Sequence, residues 1–484
     1  MKDKPHNHWL ILIVLALAQF MVVLDSSVVN VALPSILKSF SMTTSSLQWI
    51  VTAYTLTFGG FLLLGGRAAD LYGRKKIFLI GVSFFGLISL LNGLSPSGTF
   101  LIATRALQGL AGAFMSPAAL SIVLVSYKEG HERNIALSVW GAVASGGAAA
   151  GVLLGGLLTE YVGWRWNFFI NVPVTLGILY FAWRIVPKHE SEETHNDLDL
   201  PGAISVTAGM MSIVYGLSNG PSHGWTNLST LSFFVAGILL LAFFIFNEKR
   251  AKNPLVPLSI FKIRSLTGAN LTLFPVVASM FSLFFFLSLY VQDVLRYSPV
   301  RAGLTFLVVP IMIAISATNV PRIISKIGAR PVLITGPLLI ASALLYLTRL
   351  PVNGHYLTNI LPALVMLGLG AGSSFVSGTI TATSGVSGRK SGLASGILNT
   401  TQQIGGSLGL AVLTGVASTA ITNATSHLPT NIAKSQIVAY AEVQGFHAAF
   451  LVGSLIAVSA SIVAIFMIKQ TKPSKGSASP ALSH

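Results

Sequence analysis

Cysteine is absent from the 484-residue chain, which excludes a disulfide framework and thiolate-ligated metal sites. Carboxylates are almost as scarce, with 14 acidic residues against 30 basic ones and a formal net charge of +16. Charged residues make up only 9% of the chain, well below the share a soluble domain carries. No polar stretch is long enough to house nucleotide chemistry. There is no Walker loop, nucleophile elbow or His-based metal motif. The chain is therefore not expected to be an enzyme, nor to hold a metal or an organic cofactor. The basic excess does not indicate nucleic acid either, because the Lys and Arg residues are scattered through short loops rather than gathered on one face.

What fills the chain instead is apolar. Hydrophobic residues make up 53% and mean hydropathy is +0.75, the composition of a polytopic membrane protein. Fourteen segments are long enough to span a bilayer. They lie near 10–32, 47–69, 77–95, 99–124, 135–158, 166–186, 200–219 and 228–246. The remainder lie near 268–291, 302–324, 331–350, 358–382, 393–422 and 444–468. The basic start followed by an apolar run resembles a signal peptide, but the run is too long and has no clear small-residue cleavage site, so an uncleaved first span is expected. An even number of spans puts both ends on one side. Only seven of the 30 basic residues (Lys38, Arg105, Arg165, Arg296, Arg301, Arg349, Lys434) fall away from that side. This bias predicts that both termini are cytoplasmic, in a multi-pass protein of the cell membrane. The tail over 469–484, rich in Ser, Pro and Lys, is expected to be disordered.

Asp25 is the acidic residue that lies well inside an apolar span; the others sit in loops, tails or span ends. A carboxylate there is costly unless it faces a cavity, a partner or a proton path. The alternative is a carboxylate that pins helix packing through hydrogen bonds. A repeat is also visible. Arg67 and Arg322, Gly73 and Gly328, and Gly81 and Gly336 are each 255 positions apart. Two copies of a span–loop–span unit imply two similarly oriented halves. The expected division is a six-helix bundle over 1–190, two additional spans over 191–250 and a second six-helix bundle over 251–468.

Five stretches resemble the major facilitator superfamily, and within it the fourteen-span drug:proton antiporters. They are Leu24-Asp25 through Val29-Asn30-Val31-Ala32-Leu33-Pro34, Gly66 to Lys76, Arg105-Ala-Leu-Gln108-Gly109, Gly163 to Pro173, and Tyr290-Val291-Gln292 with Tyr297-Ser298-Pro299. The resemblance implies two six-helix bundles plus two extra helices, all α. It implies proton-coupled export of amphipathic small molecules by alternating access, with the proton gradient as energy source and multidrug efflux as the outcome. A dedicated exporter of one metabolite or antibiotic, or a proton-coupled importer, is the alternative. The expected partners are the bilayer, protons and the cargo, with no nucleic acid, and the chain is expected to work as a monomer. Two departures stand out. Val152 occupies the place of a family proline in Gly151 to Gly156, and Gln402 the place of a common Arg.

Asp25 and Arg105 come out as a pair in this reading, because each lies in the outer half of the membrane and the resemblance puts spans one and four side by side. They are the candidates for proton coupling; the alternative for Arg105 is to snorkel toward the headgroups. Candidate cavity residues are Gln19, Asn30, Gln108, Asn270, Asn319, Asn399, Gln402 and Gln403, for which neutral or weakly charged cargo is the expectation. Gln108 could equally serve a packing hydrogen bond. Asp70, Gly73, Arg74 and Lys75 match the family's cytoplasmic gate, against the plainer reading of a topogenic loop. Gly147, Gly151, Gly155 and Gly156 are expected to allow close helix packing. Phe281, Phe284, Phe285 and Phe286 are expected to line an apolar pocket or to face lipid.

Overall fold

The computed structural model describes residues 8–127, 131–187, 198–384, 386, 391–426 and 436–470. Among these residues the regular structure is helical throughout, with no strand. Fourteen helices are long and apolar enough to cross a membrane. The first six are α1 (His8–Phe40), α2 (Thr44–Tyr72), α3 (Arg74–Gly93), α4 (Gly98–Ser126), α5 (Ile135–Tyr161) and α6 (Trp166–Ile185). Two follow in a hairpin, α7 (Leu200–Pro221) and α8 (Leu228–Arg250). The last six are α9 (Arg264–Val294), α10 (Pro299–Ile327), α11 (Ala329–Leu347), α12 (Tyr356–Thr383), α13 (Gly392–Ser426) and α14 (Ile437–Met467). Short polar residues start several of them. Thr43, Ser97, Asn227 and Ser298 each accept a bond from a first-turn backbone N–H, satisfying donors that the helix itself leaves open. All four lie at the face opposite the chain ends.

The internal repeat is reproduced in the backbone. Gly73 has φ +95° between α2 and α3, and Gly328 has φ +86° between α10 and α11. Each lets the chain reverse into the next span through a single left-handed residue, a conformation that a side chain would oppose. Around these turns α1–α6 pack on one another, and α9–α14 do the same. Between the two bundles, α7 rests on both α2 and α13, whereas α8 packs on α7 and leaves Leu228, Ile238, Leu239 and Phe246 exposed. An apolar face of that kind belongs against lipid.

At the face opposite the chain ends the bundles are joined tightly. Ser288 Oγ donates to the Asn30 carbonyl at 2.8 Å, and Gln292 Nε2 to the Val31 carbonyl at 2.9 Å. Nearby Lys38 meets Asp293 at 2.9 Å. At the same face the Val300 amide donates to Glu160 Oε2 at 2.8 Å. There a Cβ on Gly303 would stand 2.3 Å from the Val152 carbonyl oxygen, and one on Gly156 would stand 2.7 Å from that of Pro299. Backbone meets backbone across this seam. Toward the chain ends α5 and α10 diverge, and a Cβ on Gly141 or Gly146 would meet nothing within 4 Å. The α2–α13 seam stays closed through Thr55–Ser407 (2.6 Å) and Thr400 Oγ1 to the Gly59 carbonyl (3.1 Å).

The glycines of α5 divide between two jobs. Gly147, Gly151 and Gly155 face Phe20, Leu24, Ser27 and Val28 of α1, while Gly156 faces α10. Val152 leaves α5 uninterrupted and offers its carbonyl to the Gly303 contact. Phe281, Phe284, Phe285 and Phe286 of α9 divide between core and partly buried positions, Phe281 and Phe284 being the partly buried ones. Phe285 and Phe286 are fully buried, Phe286 among Phe446 and Phe450, and Phe281 packs over Gly406.

Candidate functional site

Asp25 and Arg105 are in contact. Arg105 Nη1 donates to Asp25 Oδ2 at 2.5 Å, with both side chains at 1% exposure or less. The same Nη1 reaches Gln108 Oε1 at 2.6 Å, and Nε donates to the Ile50 carbonyl at 3.2 Å. The pair is therefore not a two-pronged fork; the guanidinium is divided among α1, α2 and α4. Its flat face lies over the Tyr54 ring, 4.1 Å from the centroid, a favourable place for a desolvated cation.

The carboxylate is equally committed. Its Oδ1 accepts from Gln108 Nε2 at 3.0 Å and from Asn171 Nδ2 at 2.9 Å. Ser89 Oγ joins the same two amides at 2.7 and 3.1 Å, and Asn92 Nδ2 donates to Gln108 Oε1 at 2.6 Å. Six polar side chains from α1, α3, α4 and α6 thus form one dry cluster. A buried charge pair is tolerable only with this degree of satisfaction. Of the settings open to Asp25 from the sequence, the structure shows a buried partner, and Arg105 does not snorkel. Gln108, expected along a cargo cavity, is wholly buried in the cluster.

Three members, Ser89, Asn92 and Asn171, were not legible as site residues. For Asn171 a signal existed, since it lies inside the Gly163–Pro173 stretch; Ser89 and Asn92 offered none. Tyr54 was missed as well. Its hydroxyl is buried without a hydrogen-bond partner beside the Arg105 guanidinium.

The remaining candidates separate by location. Gln19 accepts from Ser116 Oγ at 2.8 Å within the first bundle. The Asn30 amide donates to the Ser26 carbonyl one turn back, and that of Asn319 to the Ile315 carbonyl. Asn270 is buried and donates to the Leu266 carbonyl in its own helix. Gln403 packs its stem over Gly59 at the α2–α13 seam. Asn399 and Gln402 do come together, in a cavity of about 260 Å³ between α12 and α13. Phe375, Thr379, Ser395 and Leu398 complete its lining.

The loop candidates lie at the face of the chain ends. Arg74 Nε and Nη2 each stand 3.2 Å from Asp70 Oδ1, one turn apart. Lys75 Nζ donates to the carbonyls of Trp183 and Val186 at the end of α6 (2.7 and 2.6 Å). All of these bonds stay inside the first bundle.

A profile described as Major Facilitator Superfamily matches residues 15–410. The chain is 40% identical over 417 residues to the puromycin resistance protein pur8 of Streptomyces alboniger, covering 86% of this chain and 82% of that protein. It is 37% identical over 422 residues to the cephamycin export protein CmcT of Amycolatopsis lactamdurans, covering 86% of each. Among solved structures, the POT family transporter PepTSo superposes with a TM-score of 0.68 at 15% identity, over 96% of this chain and 97% of that one. At that identity the likeness speaks for the fold alone.

Proposed function

The chain belongs to the major facilitator superfamily, in its branch of fourteen-span drug exporters, and from that premise we propose that it expels amphipathic small molecules in exchange for protons. The observation that carries this reading is the sealed Asp25 cluster. A carboxylate held out of water by three donors can gain a proton only when the helices around it shift. Proton uptake and helix movement are then one event, which is what an antiporter needs to avoid leaking. Helix α1 supplies the link. It carries Asp25 and, five and six residues on, the Asn30 and Val31 carbonyls that hold α9 across the seam. In exchange, Asp25 takes up its proton from outside while the seam is open and gives it up to the cytoplasm as the seam closes, when the carboxylate returns to Arg105, Gln108 and Asn171.

The basic residues favour cytoplasmic chain ends in the cell membrane. With that orientation the seam closed here faces outward and cargo is received from the cytoplasm. Asp70 and Arg74, paired here across the α2–α3 turn, latch the bundles when the cavity opens outward. The test is transport in proteoliposomes under an imposed pH gradient, with puromycin and chloramphenicol as cargo. Wild type should accumulate cargo only while the gradient lasts, and Asp25→Asn should not respond to it. Undiminished pH-driven transport by Asp25→Asn would remove Asp25 from the mechanism. The relatives' names, each attached to a single compound, support a second reading as a dedicated exporter. Transport of one compound from a chemically broad panel would favour it.

A further inference from the structure

We propose that the cavity between α12 and α13 is the recognition site for an uncharged, hydrogen-bonding portion of the cargo, such as an amide or a polyol, attached to a short apolar body. This inference rests on the export reading and adds the site and the class of molecule. Ser395, Asn399 and Gln402 recur at intervals of four and three along α13 and so share one face. Phe375 and Thr379 stand one turn apart on α12 and supply the facing wall. The cavity sits near the face of the chain ends, with Thr379 four residues before the end of α12 and Ser395 three after the start of α13. Under the proposed orientation cargo meets it first.

Two features define what it takes. Its polar groups are unspent: the side chains of Asn399 and Gln402 make no hydrogen bond within the described residues, nor do the hydroxyls of Thr379 and Ser395. Asn and Gln each offer two donors and an acceptor, and the hydroxyls offer both roles. Among the described residues, no Asp, Glu, Lys or Arg lines it. A cation entering would lose hydration and meet no countercharge. The volume, about 260 Å³, falls just below the roughly 300–1,000 Å³ of sites that enclose a whole drug-sized ligand. It therefore takes one portion of such a molecule and leaves the rest outside. Phe375 and Leu398 offer apolar contact beside the amides.

The test compares two probes on the purified full-length protein. Chloramphenicol is neutral and bears an amide and hydroxyls; tetraphenylphosphonium is a permanent cation with no hydrogen-bonding group. Wild type should bind chloramphenicol the more tightly. The double variant Asn399→Leu/Gln402→Leu should weaken chloramphenicol about tenfold, as expected for two lost hydrogen bonds, and leave tetraphenylphosphonium unchanged. Asn399→Asp should gain tetraphenylphosphonium several-fold. Asn399 is exposed and Gln402 half-buried, so folding is not at risk; a melting curve within a few degrees of wild type checks it. Chloramphenicol affinity unchanged in the double variant overturns the site. Wild type that prefers the cation, or binds neither probe, overturns the class of cargo. The export reading is judged separately, by pH-driven accumulation of chloramphenicol in wild-type proteoliposomes.

Discussion

In the first bundle Asp25, Ser89, Asn92, Arg105, Gln108 and Asn171 bond to one another across four helices. In the second bundle the buried polar side chains mostly bond to their own helices. Asn270, Thr272, Ser282, Ser374, Ser377 and Thr381 all donate to a carbonyl one turn back. Cross-helix bonds fix relative position, whereas back-bonds leave a helix free to slide against its neighbour. The first bundle has used its polarity to hold a charge in one place. The second keeps unbonded polar groups in a cavity. On the proposed reading, proton and cargo are handled in different bundles and communicate through movement of one bundle against the other.

The most severe way to break this contrast is to remove one charge from the dry cluster. Asp25→Asn leaves Arg105 buried without a countercharge, which should cost about 3–5 kcal/mol of stability and abolish pH-driven transport. Asp25→Asn/Arg105→Gln removes both charges. It should regain most of the thermal stability and none of the coupling. In the second bundle, Gln402→Leu should change stability by less than about 0.5 kcal/mol. Thermal melts and proteoliposome transport on the same preparations decide the matter. A double variant that still couples would mean the cluster is only a packing device.

A smaller effect is expected from Gly303→Ala. The added methyl would stand 2.3 Å from a backbone oxygen of the other bundle, and backbone cannot rotate away. The seam should loosen and the outward-open state should gain about tenfold in population, a bias of roughly 1.4 kcal/mol. Because the chain has no cysteine, Asn30→Cys gives a unique label beside the seam. Its reaction with an impermeant maleimide added from outside should accelerate accordingly. Gly141→Ala, with nothing within 4 Å of the new methyl, is the control and should change nothing.

Much of this contrast was legible in the chain. Span count follows from run length and the repeat from its constant offset, while the meeting of Asp25 with Arg105 follows from depth together with the resemblance that sets spans one and four side by side. Rotation about each helix axis was not legible. Lipid and protein interior are both apolar, so hydrophobicity does not tell which face of a span looks inward. Hence Gln108 was left between a cavity and a packing hydrogen bond when it faces Asp25, and Phe285 and Phe286 were given to a pocket or lipid when they are core. Neighbours in sequence split in the same way: Gln402 lines the cavity and Gln403 packs on Gly59. Ser89 and Asn92 are cheap enough in a span to carry no signal at all; only tertiary packing reveals them.

Asp70 and Arg74 sharpen the comparison at the face of the chain ends. Their side chains are 43% and 29% exposed, so the pair is worth at most about 1 kcal/mol. Asp70→Asn or Arg74→Ala should therefore leave melting temperature nearly unchanged and lower transport rate about three- to tenfold through slower switching. Equilibrium binding of chloramphenicol should stay at the wild-type value. If binding weakens and turnover holds, these residues belong to recognition rather than to the gate.

The mildest change is at Lys38 and Asp293, the ion pair at the opposite face. Lys38 is 59% exposed and Asp293 16%, so water and salt screen the attraction and it contributes about 0–1 kcal/mol. The bonds beside it, from Ser288 and Gln292 to carbonyls of α1, are less exposed and insensitive to salt. Closure of the seam should then have a small screened part and a larger unscreened part. In the Asn30→Cys background, raising salt from low to about 1 M, where the screening length is only about 3 Å, should speed maleimide labelling by less than about fivefold. Asp293→Asn should show that faster rate already at low salt and respond no further. If Asp293→Asn opens the seam as far as Gly303→Ala does, charge rather than backbone packing holds the bundles together. The division between a first bundle that buries a charge pair and a second whose described cavity lining is uncharged would then have to include their shared edge.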